Sequence, residues 1–309
     1  MDRFKSILVV AGDDETTLRL LDRAEELARQ NDASVSLLAV VENERRSSRS
    51  VRRPDGTRVE LRQVLMDARL DELRHLTKEA GIPVSVGVAA GVDFVEVIRR
   101  VEAFEHDLVM AAPGPATNRL GPSVSSTTMH LLRKSPVPVW VDTERGGFRP
   151  DVAVAIAGGD DDHGELDPTL VQLGASLAAR RGGTVHLVHA WRLPGESMLR
   201  RHRLGVSSDE IERMVVDELD GARDRLDLAE EGVRRVGAPV EVHLHKGDPA
   251  DVIPAVLDDV EPGVLVMGTL ARKGVRGVII GNTAERVLGM VDSSILAVKP
   301  AGFRSPVLT

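Results

Sequence analysis

Residues 264–298 read VLVMGTLARKGVRGVIIGNTAERVLGMVDSSILAV, and this stretch decides the fold. An apolar run, Val264 to Met267, gives way to a loop carrying glycines and cations. That loop ends at Gly281-Asn282-Thr283-Ala284-Glu285, which opens a helix through Arg286, Val287 and Leu288, and a second apolar run, Ile295 to Val298, follows. Short apolar runs without polar alternation are strands buried on both faces. A helix between two of them supplies the crossover that parallel strands require.

Working outward, the runs Val152 to Ile156, Val185 to Ala190 and Val240 to Leu244 complete five strands in the second half. The first half repeats them at Ile7 to Val10, Val35 to Val40, Val84 to Val88, Leu108 to Ala111 and Val137 to Val141. Leu27-Ala28 and Val35 recur 150 residues later, and Gly81-Ile82-Pro83-Val84 with Gly91 recurs 156 later as Gly237-Ala238-Pro239-Val240 with Gly247. Such self-similarity marks a repeated structural unit, and 309 residues suit two domains of ordinary size. The expected fold is α/β: two tandem, doubly wound, parallel five-stranded sheets of Rossmann-like type. Domain 1 spans 1–145, domain 2 spans 151–300 and a tail spans 301–309, with Thr143 to Pro150 as the linker.

The intervening segments carry helix signals. Thr17 to Gln30 puts Leu20, Leu21, Ala24, Leu27 and Ala28 on one face. Ser207 with Glu210 reads as a capping box, while Asp93 with Glu96 and Asp248 with Pro249 mark equivalent helix starts. Pro254 should bend the helix it sits in. The inserts Glu42 to Gly56 and Arg192 to Gly205 are expected as solvated, mobile loops.

Composition narrows the function. A net charge of −8 and pI near 5.7 argue against nucleic acid or an anionic membrane as partner. Without cysteine there is no disulfide framework and no thiolate metal site, and aromatic residues make up only 2%, leaving few platforms for stacking bases. No apolar stretch approaches the roughly 20 residues that span a bilayer, and the expected location is cytoplasmic. His186 and His189 lie three apart in a strand and face opposite ways; His243 and His245 share a face without an evident third ligand, so no metal site is expected.

In an open α/β sheet the ligand crevice lies beyond the carboxyl ends of the strands where strand order reverses. For the order 3-2-1-4-5 that point falls between strands 1 and 4, which directs attention to the loops after Val10, Ala111, Ile156 and Met267. The last of these, with Gly268, Gly281, a helix start at Asn282 and the cations Arg272 and Lys273, is a phosphate cradle in physical terms. It is neither a Walker loop nor a dinucleotide fingerprint.

The order Gly268, two residues, Ala271, nine residues, then Gly281-Asn282-Thr283 resembles the pattern after strand 4 of the universal stress protein family. Val252-Ile253-Pro254, His130-Leu131-Leu132-Arg133-Lys134 and Pro138-Val139-Trp140 resemble its tandem, E-type members. The resemblance implies a stress-response protein whose second domain binds a nucleotide, with phosphate and ribose contacts on Gly268, Thr269, Ala271, Gly281, Asn282 and Thr283, and Mg²⁺ only as the nucleotide's companion. It also implies an internal pseudo-dimer in which Val137 to Val141 meets Ile295 to Val298. Ala271 stands where the family has glycine, and Ala157 and Ala11 stand where an aspartate would hold adenine, so ATP is expected to bind weakly or not at all and another small ligand could take the crevice. The first half reads Ala112-Pro113-Gly114-Pro115, nine residues, then Ser125-Ser126, with Asp13-Asp14-Glu15 nearby, which marks a degenerate site. No enzyme activity is expected. The alternatives are an ATP-pyrophosphatase-like enzyme using the Gly158-Gly159 loop with Asp160, Asp161 and Asp162, or an interaction protein with no ligand.

Overall fold

The computed structural model describes residues 4–42, 50–114, 124–144, 146, 149–157, 166–201, 205–269 and 281–308. The first half runs β1 (Ser6–Val10), α1 (Asp14–Asn31), β2 (Ser34–Glu42), β3 (Ser50–Arg52), β4 (Arg58–Glu60), α2 (Leu61–Leu76), β5 (Val84–Gly91), α3 (Asp93–Ala103), β6 (Leu108–Ala111), α4 (Ser126–Lys134) and β7 (Val139–Val141). The second runs β8 (Val152–Ala155), α5 (Asp167–Arg181), β9 (Val185–Trp191), α6 (Glu196–Leu199), α7 (Ser208–Val236), β10 (Val240–Lys246), α8 (Pro249–Val260), β11 (Val264–Gly268), α9 (Asn282–Leu288) and β12 (Ser294–Val298).

Within each half the strands are parallel, in the order β5-β2-β1-β6-β7 and β10-β9-β8-β11-β12. Each is the doubly wound order 3-2-1-4-5, and order reverses between β1 and β6 and between β8 and β11. The two last strands, β7 and β12, lie antiparallel with Ile295 opposite Val141, Leu296 opposite Trp140 and Ala297 opposite Val139. The halves therefore share one ten-stranded sheet.

Helices cover both faces because successive strand residues point to opposite sides. Ile7, Val9, Leu37, Val154 and Leu187 pack on one side with α1, α5 and α7. Leu8, Leu38, Val109, Leu265 and Ile295 pack on the other with α3, α4, α8 and α9. Each fully buried Leu, Ile or Val contributes about 1.5–3 kcal/mol relative to exposure, so the strand runs supply most of the driving force.

The seam between the halves carries a buried polar cluster. The Asp142 side chain is fully buried, its Oδ1 accepting from Arg23 Nε at 3.3 Å, Trp140 Nε1 at 3.3 Å and Ser294 Oγ at 3.2 Å, while Arg19 Nε lies 3.4 Å from Oδ2. Arg181 of α5 reaches Glu26 of α1 at 2.9 Å. Lys299 Nζ donates to Leu132 O at 2.7 Å, and burial pushes its ammonium down to about 7.

Several expectations need correction. The insert after β2 contains the hairpin β3–β4, with Val51 opposite Val59, and the later insert contains α6. The last strand of the first half starts at Val139, since Ser135 Oγ is bonded to Val137 O and N in a turn. α3 is capped by Val92 with no side-chain bond, and Asp93 instead accepts from Thr127 Oγ1 at 3.1 Å. Ser207 caps α7 by accepting from Glu210 N, whereas Glu210 pairs with Arg213. α8 is capped by Asp248 and continues through Pro254 to Val260. Between the halves, Thr143 N donates to Ser294 Oγ at 3.1 Å and Gly146 N to Thr143 Oγ1 at 3.1 Å.

Candidate functional site

In the second half the crevice lies where β8 and β11 run side by side, Val152 opposite Val264 and Val154 opposite Val266. Beyond their carboxyl ends come Ala157 and Thr269. The Ala157 amide donates to Asp167 Oδ1 at 3.2 Å, so the first turn of α5 is tied to the end of β8. His189 Nδ1 donates to Ile156 O at 3.0 Å, tying β9 to the same point. A Cβ at Gly268 would stand 2.8 Å from Leu166 Cδ2, so the tip of that leucine would have to shift to admit one.

Thr269 continues the chain past β11, its amide donating to Val298 O at 3.2 Å and its carbonyl accepting from Gly281 N at 3.2 Å. This last bond closes the loop and sets Gly281 as the N-cap of α9, where no side chain caps the first turn. Thr269 is 1% exposed, and its hydroxyl finds no hydrogen-bond partner among the described residues. A buried hydroxyl without a partner costs about 1–3 kcal/mol, so a group that satisfies it would bind with that advantage. The structure thus gathers Gly268, Thr269, Gly281 and the start of α9 with Asn282 and Thr283. Ala271, with the neighbouring Arg272 and Lys273, lies outside the described residues, as do Gly158, Gly159, Asp160, Asp161 and Asp162.

The equivalent place in the first half is built differently. Ser125 N donates to Pro113 O, matching the bond from Gly281 to Thr269. Ser125 Oγ then caps α4 by accepting from Thr128 N at 3.1 Å, and Thr128 Oγ1 donates to Ala112 O at 2.7 Å. Gly114, at φ +118°, lies so close to Ser125 that an added Cβ would clash with its side chain. On the other side of this crevice Arg69 Nη2 donates to Gly12 O at 2.7 Å while pairing with Glu72 at 2.9 Å. Asp13 caps α1, and the amide and hydroxyl of Thr16 hold its carboxyl below the usual range. Among the described residues, the Thr128 amide, the Thr128 hydroxyl and the Arg69 guanidinium already have partners here.

Sequence reasoning missed Leu166, Asp167, Arg69 and the Ser125–Thr128 lock, all contributed by segments distant from the glycine pattern. It also missed a neighbour of the strand histidines. His186 of β9 stands opposite Glu241 of β10, and its Nδ1 lies 3.1 Å from His243 Nε2 and 3.5 Å from Glu241 Oε2. Burial, and secondarily the adjacent His186, hold the His243 imidazolium below its usual range. The third donor for His243 is set by strand register.

No helix among the described residues is long and apolar enough to cross a membrane. Residues 3–142 and 156–299 each match the Universal stress protein family. The chain is 30% identical to Universal stress protein E of Salmonella typhi over 260 residues, covering 81% of this chain and 80% of that protein, and 29% identical to its Escherichia coli K12 counterpart over the same shares. Among solved structures, a protein of unknown function from Pseudomonas aeruginosa PAO1 superposes with TM-score 0.69 at 23% identity, covering 96% of this chain and 93% of that one. A universal stress protein from Archaeoglobus fulgidus gives 0.67 at 18% identity, covering 96% and 98%. With two matched copies, a doubly wound sheet in each half and the E-type alignment over four fifths of its length, the chain belongs to the universal stress protein family as a tandem, E-type member.

Proposed function

We propose that this tandem stress-response protein works as a nucleotide-responsive binding protein whose ligand occupies the second-half crevice alone. The observation that carries the reading is the start of α9 with no side-chain cap beside the Thr269 hydroxyl that has no partner among the described residues, where the first-half counterpart is capped by Ser125 and bonded through Thr128. Phosphate and ribose oxygens would meet Gly268, Thr269, Ala271, Gly281, Asn282 and Thr283. The role is binding and not turnover: Asp167, in the first turn of α5, accepts from the Ala157 amide, whereas phosphoryl transfer needs a group free to position water. Adenine finds Ala157 where an aspartate would accept its amino group, so ATP binds weakly. Losing one such charged hydrogen bond costs about 1.5–3 kcal/mol, roughly tenfold or more in affinity.

Calorimetric titration of the full chain with Mg-ATP, ADP and AMP tests this. A nucleotide should bind with one equivalent per chain. Gly281→Val should abolish that binding by setting a branched side chain against the phosphates, and Ser125→Val in the first half should leave it unchanged. Binding that survives Gly281→Val but is lost in Ser125→Val would move the ligand to the other crevice. Heat from none of the nucleotides would favour an interaction protein.

A further inference from the structure

The two edge-side strands of the second half bring three metal-ligating groups together at a place far from the crevice. His186 precedes Leu187, which points into the core beneath α5 and α7, so His186 shares the opposite face with Val188. Parallel register sets Glu241 directly opposite His186 and His243 opposite Val188, so both point to that same face, one neighbouring step apart. His186 Nδ1, His243 Nε2 and a Glu241 carboxylate oxygen all lie within 4.8 Å of one another. The cluster sits near the amino-terminal ends of β9 and β10, whereas the crevice lies beyond the carboxyl ends of β8 and β11.

We propose that His186, His243 and Glu241 form a binding site for a borderline divalent transition-metal ion, with Zn²⁺ the best fit. The geometry is close to a ready-made coordination shell. Two imidazole nitrogens bound to one tetrahedral zinc at about 2.0–2.1 Å are separated by about 3.3 Å. His186 and His243 already hold theirs 3.1 Å apart. Their rings are 5.3 Å apart between centroids and tilted by 38°, so both nitrogens can turn toward one point between them. The Glu241 oxygen is 3.5 Å from the same His186 nitrogen, and its side chain, 63% exposed, has room to close the remaining gap. A bare contact between the two imidazoles needs a proton between the facing nitrogens; a cation takes that proton's place and draws on the carboxylate as well.

Two nitrogens and one oxygen select zinc, cobalt, nickel or copper over magnesium, which prefers all-oxygen octahedral shells. The ion accompanying a nucleotide therefore has no claim on this site. The fourth position faces the solvent side where Glu241 is exposed and is open to water. His186 is 6% exposed, so one ligand is anchored in the packed sheet while another lies on β10, the terminal strand of the ten. A bound ion would fasten this edge strand to its neighbour through side chains in addition to the ladder.

The test uses the full chain, stripped of metal and free of nucleotide, titrated calorimetrically with zinc chloride and followed in parallel with Co²⁺ by visible absorption. One equivalent should bind and Co²⁺ should give the intense bands of tetrahedral coordination, with Mg²⁺ producing no heat. Glu241→Gln, on an exposed side chain, and His243→Gln should each weaken zinc at least about tenfold while circular dichroism stays unchanged. Anomalous scattering at the zinc edge should place the ion between β9 and β10. Zinc bound with undiminished affinity in both variants would overturn the proposal by locating the ion elsewhere, and so would no binding at about 1 mM free zinc.

Discussion

The loops that leave β6 and β11 begin and end alike, each closed by a bond between its ends, Ser125 N to Pro113 O in one and Gly281 N to Thr269 O in the other. They differ in what happens next. In the first half a serine and a threonine turn inward, cap the helix and bond the Ala112 carbonyl; in the second, glycine and alanine occupy those places and the turn stays uncapped. Two hydroxyls thus separate a capped helix start from one with no side-chain cap. The lesson is that two copies of one fold can differ in a loop's internal partners with no change of fold.

What the halves hold in common can be broken most severely at the seam. Asp142→Ala would remove the fully buried carboxylate to which Arg23 Nε and Trp140 Nε1 donate, leaving the buried Arg23 guanidinium, its side chain 4% exposed, still paired with Glu26. Removing one partner of a buried pair costs about 3–5 kcal/mol. Because both halves share one sheet, thermal unfolding should shift downward for both in a single transition; a calorimetric trace in which only the first half melts early would show the halves to be independent.

The difference itself can be sharpened by exchanging single residues. Ser125→Ala should cost about 1 kcal/mol, the typical value of a lost N-cap, measured by urea unfolding. Gly281→Ser, the reverse exchange, should stabilise by a few tenths of a kcal/mol while weakening any ligand that used the amide it satisfies. If Gly281→Ser binds nucleotide more tightly, the contrast between the loops does not rest on capping.

A further difference concerns charge. Lys299 follows β12 and donates to Leu132 O in the first half, whereas the corresponding place after β7 holds the uncharged Thr143. With a folded value near 7 against 10.5 when unfolded, the unfolded chain binds more protons between those limits. Stability should therefore rise with pH across that window as the buried ammonium is relieved. Lys299→Met should flatten that rise, read as the pH dependence of the urea midpoint; an unchanged slope would mean the ammonium stays solvated.

Strand order, the repeat and the crevice's position were legible because each depends on local pattern: runs such as Val264 to Met267 and helix starts such as Asp248-Pro249 announce themselves. The strand end at Gly268 and the helix start at Gly281 were legible for the same reason. The rest depends on distant pairings. Leu166 reaches Gly268 from 102 positions away, Arg69 crosses to Gly12, and His186 finds Glu241 only through register, which no local spacing encodes. Asp93 looked like a cap and instead reaches across to Thr127, because aspartate serves a neighbouring helix as readily as its own.

At the centre of the seam Trp140 stands opposite Leu296, positions that correspond to each other in the two copies. In an assembly of identical chains that residue would meet itself across the symmetry axis, two indoles or two leucines, with the space overfilled or left hollow. A duplicated chain escapes this constraint. It can set a large side chain against a small one, and the fully buried Trp140 does so. The duplication thereby frees each half to diverge by substitutions that fall on only one side of the join.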